Sequence, residues 1–180
     1  SPLVPCPPLF GPLAPQSRRR ADLAVKRGAS SMLIGLHGRN TKNIVDMSTC
    51  LVLEPHMLSL LPAFRTVLHS LQAIRREASL HINLLDTGAD ILLVTDAPLT
   101  TADRIRLAQM AEDHAIPRIS WASASNPEAT ETATQRAPVT QSIAGHEVTP
   151  PPGGSLQTSA ARQQAIQTAR SAARPVGKAC

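Results

Sequence analysis

Ser79-Leu80-His81-Ile82-Asn83-Leu84-Leu85-Asp86-Thr87-Gly88-Ala89-Asp90-Ile91-Leu92-Leu93-Val94 is the stretch that decides the fold. Its first half alternates Leu80, Ile82 and Leu84 against His81 and Asn83, the period of a strand with one buried face. Residues 86–90 carry turn chemistry and the apolar run 91–94 follows, so the stretch predicts a hairpin. A second hairpin is expected upstream, where Leu23 and Val25 alternate with Asp22, Ala24 and Lys26 over residues 21–27. Residues 28–31 then turn the chain into an apolar stretch, 32–37, and a short strand at 43–46 extends the pair.

Helical spacing marks what lies between and after these hairpins. Over residues 55–77, Met57, Leu58, Leu61, Phe64, Val67, Leu68, Leu71 and Ile74 recur at three- and four-residue intervals, and Pro62 is expected to kink or divide that helix. Thr100 or Thr101 is suited to cap a second helix running to about His114, with Asp103 in its first turn and Leu107, Met110, Ala111 and His114 sharing a face. Pro117 ends it and residues 118–122 read as a strand. The polar stretch 123–136 reads as an exposed loop, followed by weak strands at 138–142 and 146–149 and a break at 150–154. Residues 159–173 are helical by propensity, with an apolar face made almost entirely of alanine.

The order strand-strand-helix-strand-strand-helix-strand predicts an α+β fold, a largely antiparallel sheet with helices on one face. The strand-helix alternation of a doubly wound nucleotide-binding sheet is absent. Three segments are expected: an irregular Pro-rich lead-in over 1–16, an α+β domain over 17–149, and a linker and helix over 150–180. With aromatics at 2% of the chain, the core has to be built from Leu, Ile, Val and Ala.

Charge is unevenly spread. Residues 1–43 hold seven basic side chains against Asp22 alone, residues 44–147 hold seven basic and twelve acidic ones, and residues 148–180 hold four basic ones and no acid. Such polarity suits a basic face for a polyanion, although a solvated surface produces it too. Cys6, Cys50 and Cys180 are too few and too scattered for a disulfide framework, so a reducing cytoplasm is the expected setting. No apolar run approaches the roughly 20 residues that span a bilayer, so no membrane partner is expected.

Several enzyme classes lack their motifs. Neither GxxxxGK[ST] nor GxGxxG occurs, the six histidines form no HExxH pair, and no GxSxG is present. The sharpest local feature is Ser17-Arg18-Arg19-Arg20-Ala21-Asp22-Leu23, where three guanidinium forks enter a strand. At that density Arg18, Arg19 and Arg20 suit the grip of RNA phosphates; the alternative is a charged edge that discourages strand pairing.

Read in order, Arg18-Arg19-Arg20-Ala21, Gly35-Leu36-His37, Ile44-Val45-Asp46, Cys50-Leu51-Val52-Leu53 and Leu60-Leu61-Pro62 resemble the central domain of the RNA uracil-C5 methyltransferases that modify 23S ribosomal RNA and transfer RNA. Asn83-Leu84-Leu85-Asp86-Thr87-Gly88, Pro117-Arg118-Ile119-Ser120-Trp121 and Pro150-Pro151-Pro152-Gly153-Gly154-Ser155-Leu156-Gln157 continue the resemblance, which is similar to the alphaproteobacterial branch and covers about residues 17–164. It implies an S-adenosylmethionine-dependent RNA methyltransferase acting on ribosomal RNA, with this part engaging RNA through Arg18, Arg19 and Arg20. It also implies a [4Fe-4S] cluster in which Cys50 matches the fourth ligand; the upstream three have no counterpart, so the cluster is not expected to assemble here.

Gln157 is the carry-over of the family's Phe-x-Gln element beside the methyl donor and target base, but Ser155 stands at the aromatic position and removes a stacking face. The glycine-rich S-adenosylmethionine loop of a Rossmann-like domain, the nucleophilic cysteine and the carboxylate base are not found, and Cys180 does not match the nucleophile's setting. The expectation is therefore a truncated piece without catalytic residues of its own, completed by a methyltransferase domain or chain. The alternatives are a stand-alone RNA-binding or interaction module and a functionless remnant.

Overall fold

The computed structural model describes residues 18–37, 44–47, 53–143 and 145–154. Eleven elements run in the order β1 (Arg20–Arg27), β2 (Met32–His37), β3 (Ile44–Asp46), α1 (Pro55–Ser70), β4 (Glu77–Leu85), β5 (Gly88–Thr95), α2 (Thr101–Asp113), β6 (Arg118–Ser123), β7 (Asn126–Gln135), β8 (Gln141–Ile143) and β9 (His146–Val148). The first seven strands form one sheet in the order β3-β2-β1-β4-β5-β6-β7, and β8 and β9 form a separate hairpin. Every neighbouring pair is antiparallel except β5 and β6, which α2 connects as a crossover. The expected α+β fold with a largely antiparallel sheet is what forms.

The β4–β5 pair turns through only Asp86 and Thr87, placing Leu85 opposite Gly88, whose φ of +127° favours glycine. Alternation then sorts the side chains. Leu23 and Val25 of β1, Leu80 and Ile82 of β4, and Ile91 and Leu93 of β5 point to one face, where Met57, Leu61, Phe64 and Leu68 of α1 and Leu107 and Met110 of α2 complete a single apolar core. Among the described residues the opposite face carries no helix.

The first helix departs from expectation in two ways. It runs unbroken through Pro62, an exposed position on the helix, with the loss of the one N–H bond that proline cannot donate. It also stops at Ser70, although Leu71 and Ile74 continue its apolar period. The reason is tertiary: Arg27 donates to the carbonyls of His69 (2.9 Å), Leu71 (2.8 Å) and Ile74 (2.8 Å), while Asp103 accepts from the N–H groups of Gln72 and Ala73. Asp96 takes those of Arg75, Arg76 and Glu77. These bonds satisfy the backbone outside a helix, and Leu71 and Ile74 stay buried in the connection.

Thr100 is the N-cap of α2, and its side chain and that of Asp103 form a reciprocal capping box. His114 does not share the buried face expected of it; it is the exposed C-cap. The expected loop over 123–136 is instead the ten-residue edge strand β7, paired with β6 through two register irregularities. Its outer residues are polar because little of it is covered, and α2 reaches it through an Arg104–Glu131 ion pair. The weak strands expected near 138–149 are β8 and β9. The helix expected over 159–173 lies outside the described residues. No helix among the described residues is long and apolar enough to cross a membrane.

Candidate nucleic-acid interface

The arginine run sits where the start of α1, the β4–β5 turn and the β8–β9 hairpin converge. Arg18 forms a parallel bridge with Leu53, and its carbonyl accepts from the N–H of Glu54, the N-cap of α1. The carbonyl of Arg19 accepts from Leu84 N–H at 2.8 Å, and Arg20 pairs with Asn83 across β1 and β4. β1 lies between β2 and β4, but its Arg20 to Leu23 end pairs only with β4 among the described residues.

The three guanidinium groups differ. That of Arg18 is exposed and has no hydrogen-bond or ion-pair partner among the described residues. Arg19 donates to the Leu85 carbonyl at 3.1 Å and lies 3.8 Å from Asp86. Arg20 forks onto Asp22 through Nε and one terminal nitrogen, at 3.3 Å each. Each guanidinium has five N–H donors, so Arg19 and Arg20 are oriented by these contacts and retain donors for a further oxygen.

Asp86 is the hub of this end of the sheet. Besides facing Arg19, it accepts from Ser142 N–H at 2.7 Å and from the Gln141 side chain at 3.1 Å, which fixes the β8–β9 hairpin against the β4–β5 turn. A shallow cavity of about 320 Å³ lies beside it, lined by Arg19, Glu54, His56, Asp86 and Thr87. Its lining carries both signs of charge.

A second polar cluster lies next along the helix-free face. Asp22 accepts from Arg20 and lies 2.7 Å from Nδ1 of His81, its cross-strand partner. Partial burial pushes the Asp22 carboxyl up, but the His81 and Arg20 hydrogen bonds and their charges outweigh it and hold the carboxyl below its usual range. Sequence alone gave Asp22 and Asp86 no role; the alternation that places Asp22 and His81 on the outward face of neighbouring strands was the signal available for the first.

Gln157 and Cys50 lie outside the described residues. Among the described residues no cluster of His, Cys, Asp or Glu is suited to a metal ion. A [4Fe-4S] cluster held by cysteine alone needs four thiolates and the chain has three cysteines, so this chain's own residues do not fit that group.

No family model matches the chain. It is similar, however, to proteins named 23S rRNA (uracil(1939)-C(5))-methyltransferase RlmD. The relative from Aromatoleum aromaticum is 33% identical over 99 residues, 55% of this chain and 23% of the relative. That from Ralstonia nicotianae is 32% identical over 101 residues, 55% of this chain and 22% of the relative. That from Bordetella parapertussis is 30% identical over 111 residues, 61% of this chain and 24% of the relative. The chain thus spans less than a quarter of the length of these curated relatives. By sequence, about 55–61% of this chain is similar to part of proteins named as RNA uracil-C5 methyltransferases.

Proposed function

We propose that this chain is the RNA-engaging part of an S-adenosylmethionine-dependent ribosomal RNA (uracil-C5) methyltransferase, and that it contacts RNA through Arg18, Arg19 and Arg20. The observation that carries the reading is the arrangement of the three guanidinium groups: one exposed and two held at fixed orientation by Asp86 and Asp22, at a single end of the sheet. Arg18 makes the first phosphate contact. Arg19 and Arg20 lose less side-chain freedom on binding, because the protein already orients them.

The names of the relatives support ribosomal RNA as the partner. In this reading the chain's contribution is RNA contact. Cys50 is a small apolar side chain in this reading and Gln157 is the link toward the methyl-donor and target-base pocket. Residues 17–149 form the RNA-engaging unit and residues 150–180 lead from it to the methyltransferase portion, in a cytoplasmic enzyme. Photo-crosslinking to a 4-thiouridine-substituted 23S rRNA fragment tests this: adducts should map to the peptide containing Arg18 to Arg20. Adducts confined to α2 and β7, at the far end of the domain's edge, would sink the reading.

A further inference from the structure

On the helix-free face, next to the arginine run, one histidine is held by a single ring nitrogen. Arg20, Asp22 and Ala24 alternate onto that side of β1, and register places His81 of β4 opposite Asp22 and Ser79 opposite Ala24. Nδ1 of His81 lies 2.7 Å from Asp22 Oδ1, the oxygen that also accepts from Arg20 at 3.3 Å. A carboxylate has no proton to give, so Nδ1 is the donor. In the neutral ring this leaves Nε2 bare, an acceptor whose direction is set by the bond on the other side of the ring. Nε2 has no hydrogen-bond partner among the described residues, and the side chain is 29% exposed.

The neighbours of this acceptor are complementary to it. Arg20 spends Nε and one N–H of Nη2 on Asp22 and keeps both N–H groups of Nη1. Arg20 and Asp22 are two residues apart on a strand, about 6.6 Å, so the guanidinium and the imidazole are separated on the scale of one sugar–phosphate unit. On the β5 side Leu92 is the partner of His81, and Gly153 lies over it so closely that a Cβ would meet Leu92 Cδ2 at 2.5 Å, which raises a wall there. Toward β2 the face is low, with Gly35 opposite Ala24 and Ala24 opposite Ser79. Free donors beside a lone acceptor match a phosphate, which only accepts, next to a ribose 2′-hydroxyl, which has a proton to give.

We propose that Arg20, Asp22 and His81 form a ribose–phosphate subsite that distinguishes RNA from DNA, in which His81 Nε2 accepts from a 2′-hydroxyl while Arg20 holds a phosphate of the same strand. Resting on RNA contact at the arginine run, the subsite adds recognition of the sugar. Asp22 is a positioning residue, because it sets which ring nitrogen of His81 carries the proton. DNA offers the same phosphates without the 2′-hydroxyl, so arginine contacts alone would treat the two strands alike.

Two measurements on the full chain test it. With no RNA present, long-range proton–nitrogen NMR of the neutral ring, under mildly alkaline conditions, should place the His81 proton on Nδ1, and Asp22→Ala should move it toward Nε2, the form that free histidine prefers. A proton on Nε2 in the parent chain would overturn the subsite. Binding is then measured to a single-stranded 23S rRNA oligonucleotide and to its 2′-fluoro counterpart, which keeps the sugar pucker of RNA and lacks the donor. The parent should bind the ribose form about three- to tenfold more tightly, the worth of one hydrogen bond, and His81→Phe should bring the two affinities together. Asp22→Ala should reduce the preference as well and keeps the test decisive if His81→Phe does not fold. Equal binding of both strands by the parent, or a preference that survives in His81→Phe, would overturn the subsite and leave RNA contact at the arginines standing. Binding of neither strand would overturn that contact, and the subsite with it.

Discussion

Arg118 and Asp90 stand directly opposite each other on the one parallel strand pair of the sheet, joined by two 2.8 Å hydrogen bonds and shut off from solvent. A buried pair of this kind is costly to break from one side, because the remaining charge has no partner and no water. Asp90→Ala should therefore destabilise the domain by about 3–5 kcal/mol, whereas the paired change Asp90→Leu with Arg118→Met should be close to neutral. Urea unfolding of the three proteins checks this. If Asp90→Ala and the double variant lose the same stability, the penalty is lost packing and the pair has no special electrostatic cost.

Asp103 gives a pH dependence whose sign can be stated. Burial pushes its carboxyl up, but hydrogen bonds from Gln72, Thr100 and Ala73 outweigh that and hold it below its ordinary value of 3.8. A carboxyl depressed in the folded state contributes stability that is fully present above the unfolded value and lost as pH falls through the folded one. Asp103→Asn should thus lower stability by about 1–3 kcal/mol at neutral pH. The gap from the parent protein should narrow only below pH 3.8. A gap that is constant from neutral to strongly acidic pH would mean that the carboxylate charge contributes nothing.

Arg27 closes the end of α1 from another strand. Its guanidinium serves the carbonyls of His69, Leu71 and Ile74, with the ends of the fork 2.8 to 2.9 Å away. Arg27→Lys keeps the charge but not the fork and should recover only part of the loss seen in Arg27→Ala, about 1.5–3 kcal/mol. Hydrogen exchange of the amides from Leu68 to Ile74 locates the effect. Equal stability of the lysine variant and the parent would show that a point charge is enough.

How much of this was legible in the residues alone differs by element. Leu80, Ile82 and Leu84 alternate because one face of β4 is buried, and that alternation gave both the strand and its side. Thr100 and Asp103 announced a capped helix three residues apart. β7 was not legible: its Thr and Glu residues are exposed on an edge strand, so no buried face leaves a period-two apolar pattern. Nor was the end of α1, because Leu71 and Ile74 keep the helical spacing and only Arg27, Asp103 and Asp96, distant in sequence, divert the backbone.

The site divides in the same way. Arg18, Arg19 and Arg20 were visible as a run, but nothing local distinguishes the exposed Arg18 from Arg19, which depends on Leu85 and Asp86 some 66 residues away. Asp90 and Arg118 are 28 residues apart and meet only through the β5-α2-β6 crossover.

That inequality among the arginines gives a further prediction. Arg18→Ala should weaken RNA binding without changing stability, since its side chain has no partner among the described residues. Arg20→Ala should weaken binding and also release Asp22, leaving His81 as its remaining side-chain partner. Thermal unfolding run beside each titration separates the two effects. Loss of stability in Arg18→Ala would show that its side chain has an internal role.

The central claim, that this chain engages RNA through its arginine run, is tested most directly by titrating it with a 23S rRNA fragment at several salt concentrations. Binding should weaken linearly on logarithmic axes, and Arg18→Ala/Arg19→Ala/Arg20→Ala should flatten the slope by about 0.7–0.9 for each phosphate contact removed. Identical affinity and identical slope for the parent and the triple variant would contradict the account.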